Sequence, residues 1–283
     1  MINKMKLFIA AYLLLVSLFV PCVSAHADGR IKGTGGVSSV NGAGGGGLIP
    51  WATLTSLASE EQRGFTAFTT YTDLDDFTLE VAGAAMNFND RVELSYARQR
   101  FTIKANDAQI AQDKYGLKVR VVGNLLYGKV PQIAAGIERN RLLDPATARA
   151  VGATDDNGTD FYISAARAWI DGPFHRTSMF NVNLRYSQAN QYGLLGYGGD
   201  ARDSRVQVEV AAAMFLTRSI AIGAEYRQKP DNLSALREDE ATDVFVAWFP
   251  NKNISITGAY VMLGEIAGAA QQNGFYLSIQ GAL

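Results

Sequence analysis

A glycine-rich segment near the N-terminus is the first feature whose composition could do chemistry. Residues 33–47 read GTGGVSSVNGAGGGG and precede Leu48, Ile49 and Pro50. Glycine-rich loops cradle phosphate when they join a strand to a helix that begins with Lys-Ser or Lys-Thr. No such helix start follows this segment. We therefore expect no nucleotide site and no cofactor here.

An acidic stretch at residues 155–160, DDNGTD, has the residue types of a calcium-binding loop. It lacks the ligand spacing of such loops and the closing bidentate glutamate. The stretch is better interpreted as an acidic external turn, with cation binding as a weaker alternative. We predict no metal site.

The first 27 residues have the pattern of a secretory signal peptide. Lys4 and Lys6 precede an apolar run over residues 7–20, and residues 23–27 (VSAHA) form an A-x-A cleavage pattern after which we expect the cut. Cleavage would remove Cys22, the one cysteine, so the mature chain would have no disulfide. It would also remove two lysines and no acid, taking the formal net charge from −1 to −3. That charge gives no electrostatic case for nucleic-acid binding.

Alternation of polar and apolar residues dominates the rest of the chain. Residues 180–187, FNVNLRYS, alternate without exception, as the two faces of a half-buried strand do. Twelve such segments begin near residues 65, 77, 91, 114, 131, 159, 179, 205, 219, 242, 253 and 273. Most have the 8 to 11 residues typical of a tilted membrane-crossing strand. An antiparallel up-and-down transmembrane β-barrel over residues 65–283 is predicted.

The lengths of the connections favour an outer membrane over a soluble fold. Short joins at residues 89–90, 216–218 and 250–252 alternate with long polar ones at 105–113, 140–158, 190–204 and 228–241. Outer-membrane barrels have short periplasmic turns and longer external loops. We therefore predict a protein exported to the bacterial outer membrane, with membrane lipid and the barrel-assembly machinery as its partners.

Residues 28–64 have two possible interpretations. They either enter the barrel as a plug or supply two more strands through a glycine turn. One extra strand alone would place the mature N-terminus outside, which barrels of this kind avoid. Twelve strands are favoured and fourteen are the alternative.

Charged residues on the polar faces of the predicted strands are the candidate site. If the polar face lines the lumen, the lining contains Glu80, Glu93, Lys118, Arg120, Arg185, Arg205, Glu209, Glu225 and Arg227. Such residues could form a selectivity lining. They could equally form a network of salt bridges that fills a narrow barrel, because isolated buried charge is costly.

His175 is the candidate general base outside the leader. A Ser-His-acid hydrolase in a barrel needs its histidine at the outer rim. His175 follows Pro173 and Phe174 in a predicted periplasmic turn. We therefore predict an exposed turn residue and a protein that is not an enzyme.

The chain resembles a bacterial family known only as a domain of unknown function and predicted to form outer-membrane barrels. The similar stretches are residues 44–52, 90–101, 191–200, 223–233 and 245–251. The resemblance implies a barrel and brings no activity and no catalytic or ligand residue. A narrow pore for small solutes is the first functional hypothesis. A sealed structural or surface-interaction barrel is the second, and a barrel-embedded enzyme is the third.

Overall fold

The computed structural model describes residues 32–200 and 206–283. Twelve antiparallel strands close into one barrel, which confirms the predicted fold class and the favoured strand count. The predicted leader, residues 1–27, lies outside the described residues. Two further short strands, β1 (Val37–Ser38) and β2 (Gly44–Gly45), pair only with each other and do not enter the wall.

Each wall strand pairs with its neighbours in sequence, and the ring closes between the first and the last. The wall strands are β3 (Arg63–Leu74), β4 (Phe77–Phe88), β5 (Val92–Ile103), β6 (Ala108–Val122), β7 (Gln132–Leu142), β8 (Asn157–Trp169), β9 (Ser178–Tyr186), β10 (Val206–Phe215), β11 (Ile220–Arg227), β12 (Ala241–Trp248), β13 (Ile254–Met262) and β14 (Asn273–Ala282). A one-turn helix, α1 (Ala146–Ala150), lies in the connection after β7. At the closure, Phe65 and Leu283 exchange backbone hydrogen bonds of 3.0 and 2.8 Å.

The connections have different lengths at the two ends of the barrel. At one end, here called the long-loop end, are residues 143–156, 187–200, 228–240 and 263–272. The opposite, short-turn end holds the three tight turns predicted from sequence. Two connections differ from the prediction. The long join expected at 105–113 is a turn at 104–107, and residues 123–131 form a longer connection at the short-turn end.

Apolar side chains cover the outside of the wall. Ile163 and Val244 are 58% and 57% exposed, and Leu94, Leu184 and Phe275 are also exposed. Apolar area of this kind is unfavourable in water and favourable against lipid. Among the described residues, no helix is long and apolar enough to cross a membrane.

Residues 32–62, here called the lumen segment, fill the inside of the barrel. The segment begins at the short-turn end, where the Lys32 ammonium donates to the carbonyl of Pro250 at 3.2 Å. Its middle part is buried over residues 36–58. It returns to the same end and enters β3 at Arg63. The segment therefore forms a loop that enters and leaves the lumen through one opening.

Candidate functional site: the filled lumen

Glu93 and Lys118 hold both limbs of the lumen segment against one side of the wall. The Glu93 carboxylate accepts hydrogen bonds from the backbone N–H groups of Gly44 and Thr55 at 3.0 and 2.6 Å. The Lys118 ammonium lies 3.2 Å from that carboxylate. It also donates to the carbonyls of Gly44 and Thr53, both at 2.7 Å. Wall charges and segment backbone therefore satisfy each other in a buried site.

Glu225 and Arg227 make a similar contact farther along the segment. The Glu225 carboxylate accepts from the Leu48 backbone N–H at 2.7 Å and from the Trp51 indole Nε1–H at 3.0 Å. The Arg227 guanidinium donates to the Leu48 carbonyl at 3.0 Å. Both backbone groups of Leu48 are thus held, the N–H by an acid and the carbonyl by a base of β11.

Glycines let the segment approach these carboxylates. A Cβ added at Gly46 would lie 1.8 Å from Oε1 of Glu225, and one at Gly44 would lie 3.0 Å from Oε2 of Glu93. Any side chain at Gly46 would have to displace the carboxylate. The motif that can cradle phosphate in other proteins therefore cradles carboxylates of its own barrel.

Arg185 is the centre of a second buried cluster, above the middle of the segment. Its guanidinium lies 2.8 Å from Glu138 and 2.6 Å from Glu209. Asp160 lies 3.8 Å away, and Arg227 contacts Glu209 at 3.2 Å. Asn41 of the lumen segment donates to Glu138 at 3.0 Å, which links this cluster to the segment.

Six of the residues predicted to line the lumen are buried inside it. They are Glu93, Lys118, Arg185, Glu209, Glu225 and Arg227. Arg120 faces inward at the short-turn rim, where it contacts Asp90 at 2.5 Å.

The prediction that Glu80 faces the lumen is wrong. Arg205 lies outside the described residues. Phe77 and Val81 of β4 are the buried, inward residues, so Glu80 belongs to the outward face, where it contacts Arg100 at 3.2 Å. The inward face of β4 is apolar at this height because it meets Val40 and Leu48 of the lumen segment around a small cavity that Leu79 also lines.

Several lumen residues were missed by the sequence interpretation. They are Lys114, Glu138, Asp160 and Asp243, together with the amides Gln99, Gln112, Gln132, Asn140, Asn181 and Asn183. All are inward residues of their strands. On β5, β6 and β9 they alternate with the inward residues that were found. On β7 the alternation itself was the signal available, since Glu138 lies two and four residues after the inward Gly136 and Ala134.

An inserted loop, residues 188–198, covers the segment from the long-loop end. The Tyr192 carbonyl accepts from Lys114 at 2.7 Å and from Gln112 at 3.2 Å. The Arg227 guanidinium lies 4.3 Å from the centre of the Tyr192 ring. These contacts close the lumen above the segment.

A buried glutamate holds the inserted loop from a neighbouring loop. The Gln191 backbone N–H donates to both carboxyl oxygens of Glu238, at 2.9 and 3.0 Å. Burial raises the pKa of Glu238 to about 8 against the usual 4.5. Burial also lowers the pKa of the nearby Lys229. Both groups lie in the loop between β11 and β12, outside the strands.

Small cavities remain around the segment, and two of them are apolar. One, of about 50 Å³, lies under the inserted loop between Leu48, Leu195 and Tyr276. The other, of about 80 Å³, lies at the short-turn end near Trp51, Phe215 and Phe249. The two cavities share no lining residue.

The other motifs singled out in the sequence lie away from the lumen segment. His175 is in the turn between β8 and β9, where Nδ1 lies 3.0 Å from Asp171, and its side chain is 92% exposed. In the acidic stretch, Asp156 pairs with Arg149, while Asp160 faces the lumen cluster. Within residues 32–200 and 206–283, no group of metal-ligating side chains gathers.

Comparison with known proteins gives a family and a set of barrels. The family described as "Protein of unknown function (DUF3034)" matches residues 34–280. No curated protein matches the sequence. The chain is similar to the KdgM porin, at 8% identity over 76% of this chain and 98% of that one, with a TM-score of 0.48.

Two further solved structures have the same kind of likeness. Omp33 of Acinetobacter baumannii is 11% identical over 79% of this chain and 99% of that one, with a TM-score of 0.44. The outer membrane phospholipase OMPLA of Salmonella typhi is 8% identical over 78% and 90%, with a TM-score of 0.41. Likeness at this level carries no information on solute or chemistry.

Proposed function

This chain belongs to the DUF3034 family, and from its geometry we propose that it is a gated narrow channel for small solutes in the bacterial outer membrane. In the resting state its lumen segment and inserted loop seal the barrel. Solutes cross when the segment moves out of the lumen. The observation that carries the proposal is that a separate segment, entering and leaving by one end, fills a lumen whose own wall is polar and charged.

The path of the lumen segment is suited to movement. Lys32 and Arg63 both lie at the short-turn end, so the loop between them can withdraw without threading past the wall. A barrel that only needed filling would be filled more simply by large side chains from its own strands.

The wall is suited to hold water once the segment has moved. Wall groups that hydrogen-bond to the segment could be satisfied equally by water. The amides of Gln132 and Asn183, for example, donate to segment carbonyls at 2.7 and 2.6 Å. The charges of the Arg185 cluster would stay paired with one another. A polar lining with compensated charge favours passage of small polar solutes without strong charge selectivity.

The location follows from the outer surface and the connections. Exposed apolar residues surround the wall, and the long loops gather at one end, which we assign to the cell exterior. The N-terminal pattern of Lys4, Lys6 and residues 23–27 supports export. Outer-membrane lipid and, during insertion, the barrel-assembly machinery are the proposed partners.

Substitution of Glu225 by alanine tests the gate. The variant leaves the Leu48 N–H and the Trp51 indole N–H without their buried acceptor, at about 1–3 kcal/mol each. We expect discrete conductance steps in planar bilayers at least about ten-fold more often than for the wild type. Glu80→Ala is the matched control, since it removes the same residue from the outer face and should leave the opening frequency unchanged.

A crosslink between the segment and the wall tests the same gate from the opposite direction. The hydroxyls of Thr55 and Thr66 lie 2.7 Å apart, one on the segment and one on β3. With Glu225→Ala as background, a Thr55→Cys and Thr66→Cys pair, oxidised to a disulfide, should silence the channel, and a reductant should restore it. Steps that persist in the oxidised form would contradict a gate made by this segment.

A sealed surface-interaction barrel is the second candidate. It is favoured by the long-loop end, where Asn232 of one loop donates to the side chain of Asn190 of the inserted loop at 3.0 Å. If Glu225→Ala is silent while the unboiled protein still migrates as a folded barrel on an SDS gel, the channel proposal fails and this second function is favoured.

A further inference from the structure

We propose that four arginines on the outer face of the barrel form a binding site for the phosphate groups of a phosphorylated glycolipid in the leaflet at the long-loop end. They are Arg98 and Arg100 of β5 and Arg139 and Arg141 of β7, here called the arginine patch. The proposal rests on the membrane location and orientation given above, and it adds a ligand on a different surface from the channel.

The strand register brings these arginines together. Arg98 of β5 and Arg141 of β7 both stand opposite Asp113 of β6, which lies between them. Arg139 and Arg141 are two residues apart on one face, so their Cα atoms are about 7 Å apart. Two guanidinium groups at that spacing can both reach one phosphate, to which arginine binds through paired hydrogen bonds.

The patch keeps positive charge after its internal ion pairs are counted. Arg98 pairs with Asp113 through two hydrogen bonds, of 2.7 and 2.9 Å, and Arg100 pairs with Glu80. Arg139 donates to the neutral hydroxyl of Thr159 at 3.0 Å. Arg141 has an electrostatic interaction with Asp113, the carboxylate that already pairs with Arg98. Four arginines thus share the two carboxylates of Asp113 and Glu80, which leaves the patch with net positive charge among the described residues.

The surface next to the patch fits the rest of a lipid. Tyr96 and Tyr115 lie at the level of Arg139, next to Arg98 and Arg141 on the side away from the long-loop end. Their ring centres are 5.3 Å apart, and the Tyr96 hydroxyl donates to Asp113 at 2.9 Å. Below them, Leu94, Leu117 and Ile137 are exposed on the wall. Aromatic rings mark the level of the headgroups and the aliphatic residues mark the acyl chains.

The basic character is confined to this sector of the rim. On the other described strands, the outward residues nearest the long-loop end are neutral or acidic: Tyr71, Asp73, Thr78, Glu80, Asn157, Thr159, Tyr186, Val206, Tyr226, Thr242, Met262, Asn273 and Phe275. A general need for interfacial charge would not concentrate arginine on β5 and β7. A specific anionic ligand accounts for it.

Binding of lipid A by purified full-length mature protein in neutral detergent tests the site. Bis-phosphorylated lipid A is the probe, and its fully dephosphorylated form is the reference. Arg139→Gln with Arg141→Gln should bind bis-phosphorylated lipid A roughly thirty-fold more weakly than the wild type. The matched control is Arg63→Gln with Arg218→Gln, which removes two exposed arginines from the short-turn end and should bind like the wild type.

Each outcome decides the question. Equal binding of the two lipid forms by the wild type, or equal loss in both double variants, would overturn the site. Displacement of the lipid by an equimolar amount of inorganic phosphate would assign the patch to free phosphate and overturn the lipid. Heat-modifiable migration of Arg139→Gln with Arg141→Gln verifies its fold. Its conductance should equal that of the wild type, so a failure of the lipid site and a failure of the channel are distinguishable.

Discussion

At the scale of single residues, backbone N–H groups of the lumen segment supply part of the compensation that a charged side chain gives in an ordinary buried ion pair. Glu93 and Glu225 are buried to within 1–2% exposure, and part of their compensation comes from peptide N–H groups of the lumen segment. Such N–H groups can withdraw together with the segment. A buried acid held in this way is released into water on opening and is not left as an isolated charge in an apolar core.

Gly46→Ala is expected to loosen the lumen segment. Its Cβ would lie 1.8 Å from Glu225 Oε1, and the carboxylate cannot move without losing the Leu48 N–H or the Trp51 indole N–H. The cost is about 1–3 kcal/mol. Hydrogen exchange at the Leu48 and Trp51 amides should become roughly ten-fold faster or more. Gly281→Ala is the control, because nothing lies within 4 Å of its added Cβ. Unchanged exchange in the Gly46 variant would contradict this role of the glycine.

Alternation in the sequence identified most of the charged lining, and its failures have a physical reason. Period two separates two faces of a strand but does not say which face is inside. Glu80 was placed in the lumen on the assumption that polar means inward, and β4 reverses this because its inward Phe77 and Val81 pack in the apolar core inside the barrel. The partners of the glycine motif could not be predicted either. Gly44 and Glu93 are 49 residues apart, and Leu48 and Glu225 are 177 residues apart.

At the scale of elements, the inserted loop depends on one buried carboxyl group. Gln191 and Tyr192 have φ values of 44° and 61°, a left-handed conformation that is costly for residues other than glycine. The hydrogen bonds from Gln191 to Glu238 and from Lys114 to Tyr192 stabilise that conformation. Changes at Glu238 should therefore act on the loop first.

The stability supplied by Glu238 is expected to fall as pH rises. Its pKa is raised from 4.5 to about 8 by burial, so the folded state binds more protons than the unfolded state between these values. Relative to the Glu238→Gln variant, the contribution of Glu238 to the free energy of unfolding is full below about pH 4.5 and is lost by about pH 8. Lys229, Asp231 and Arg227 are the charged groups that face it.

Thermal unfolding from pH 4 to pH 9 checks this dependence. The Tm of the wild type minus that of Glu238→Gln should decrease across the range and become constant above about pH 8. Glu240→Gln, at an exposed position of the same loop, is the control and should follow the wild type at every pH. A Tm difference that rises with pH would contradict the prediction that the Glu238 carboxyl is protonated in the folded state.

Most wall strands could be predicted from sequence, but their ends could not. β6 begins at Ala108 and not near residue 114, because its first seven residues, AQIAQDK, mix polar and apolar types on both faces and do not alternate. Gln112 and Lys114 face the lumen, while Asp113 faces out beneath Arg98. A strand with polar residues on both sides has the composition of a loop.

At the scale of the whole molecule, closure by β14 and β3 explains why the C-terminal Leu283 and the lumen segment share one end. An even number of strands returns the chain to the side where it started. Residues 32–62 precede the first wall strand, so they can reach the lumen only from that side. The even count and the short-long pattern of connections were the parts of this arrangement that the sequence predicted.

Labelling of single cysteines on intact cells tests the orientation that the channel and the lipid site both need. The one cysteine, Cys22, lies in the predicted leader, so new thiols would be unique in the mature chain. Ala235→Cys, exposed in a long loop, should react with a membrane-impermeant maleimide. Arg218→Cys, exposed in a short turn, should react only after the outer membrane is permeabilised. In both variants the unboiled protein should migrate faster than the boiled one, as a closed barrel does.

Cysteine labelling and heat-modifiable migration together distinguish a reversed orientation from the absence of a membrane barrel. Reversed labelling with heat-modifiable migration would keep the barrel but place the arginine patch in the periplasmic leaflet, where the outer-leaflet glycolipid is absent, and the lipid site would fall. Labelling of both positions on intact cells with heat-independent migration would remove the membrane barrel itself. The gated channel requires a heat-modifiable barrel in which Ala235→Cys is labelled on intact cells and Arg218→Cys is not. In that arrangement the long-loop end opens to the cell exterior and the short-turn end opens to the periplasm, the two compartments that the channel would connect.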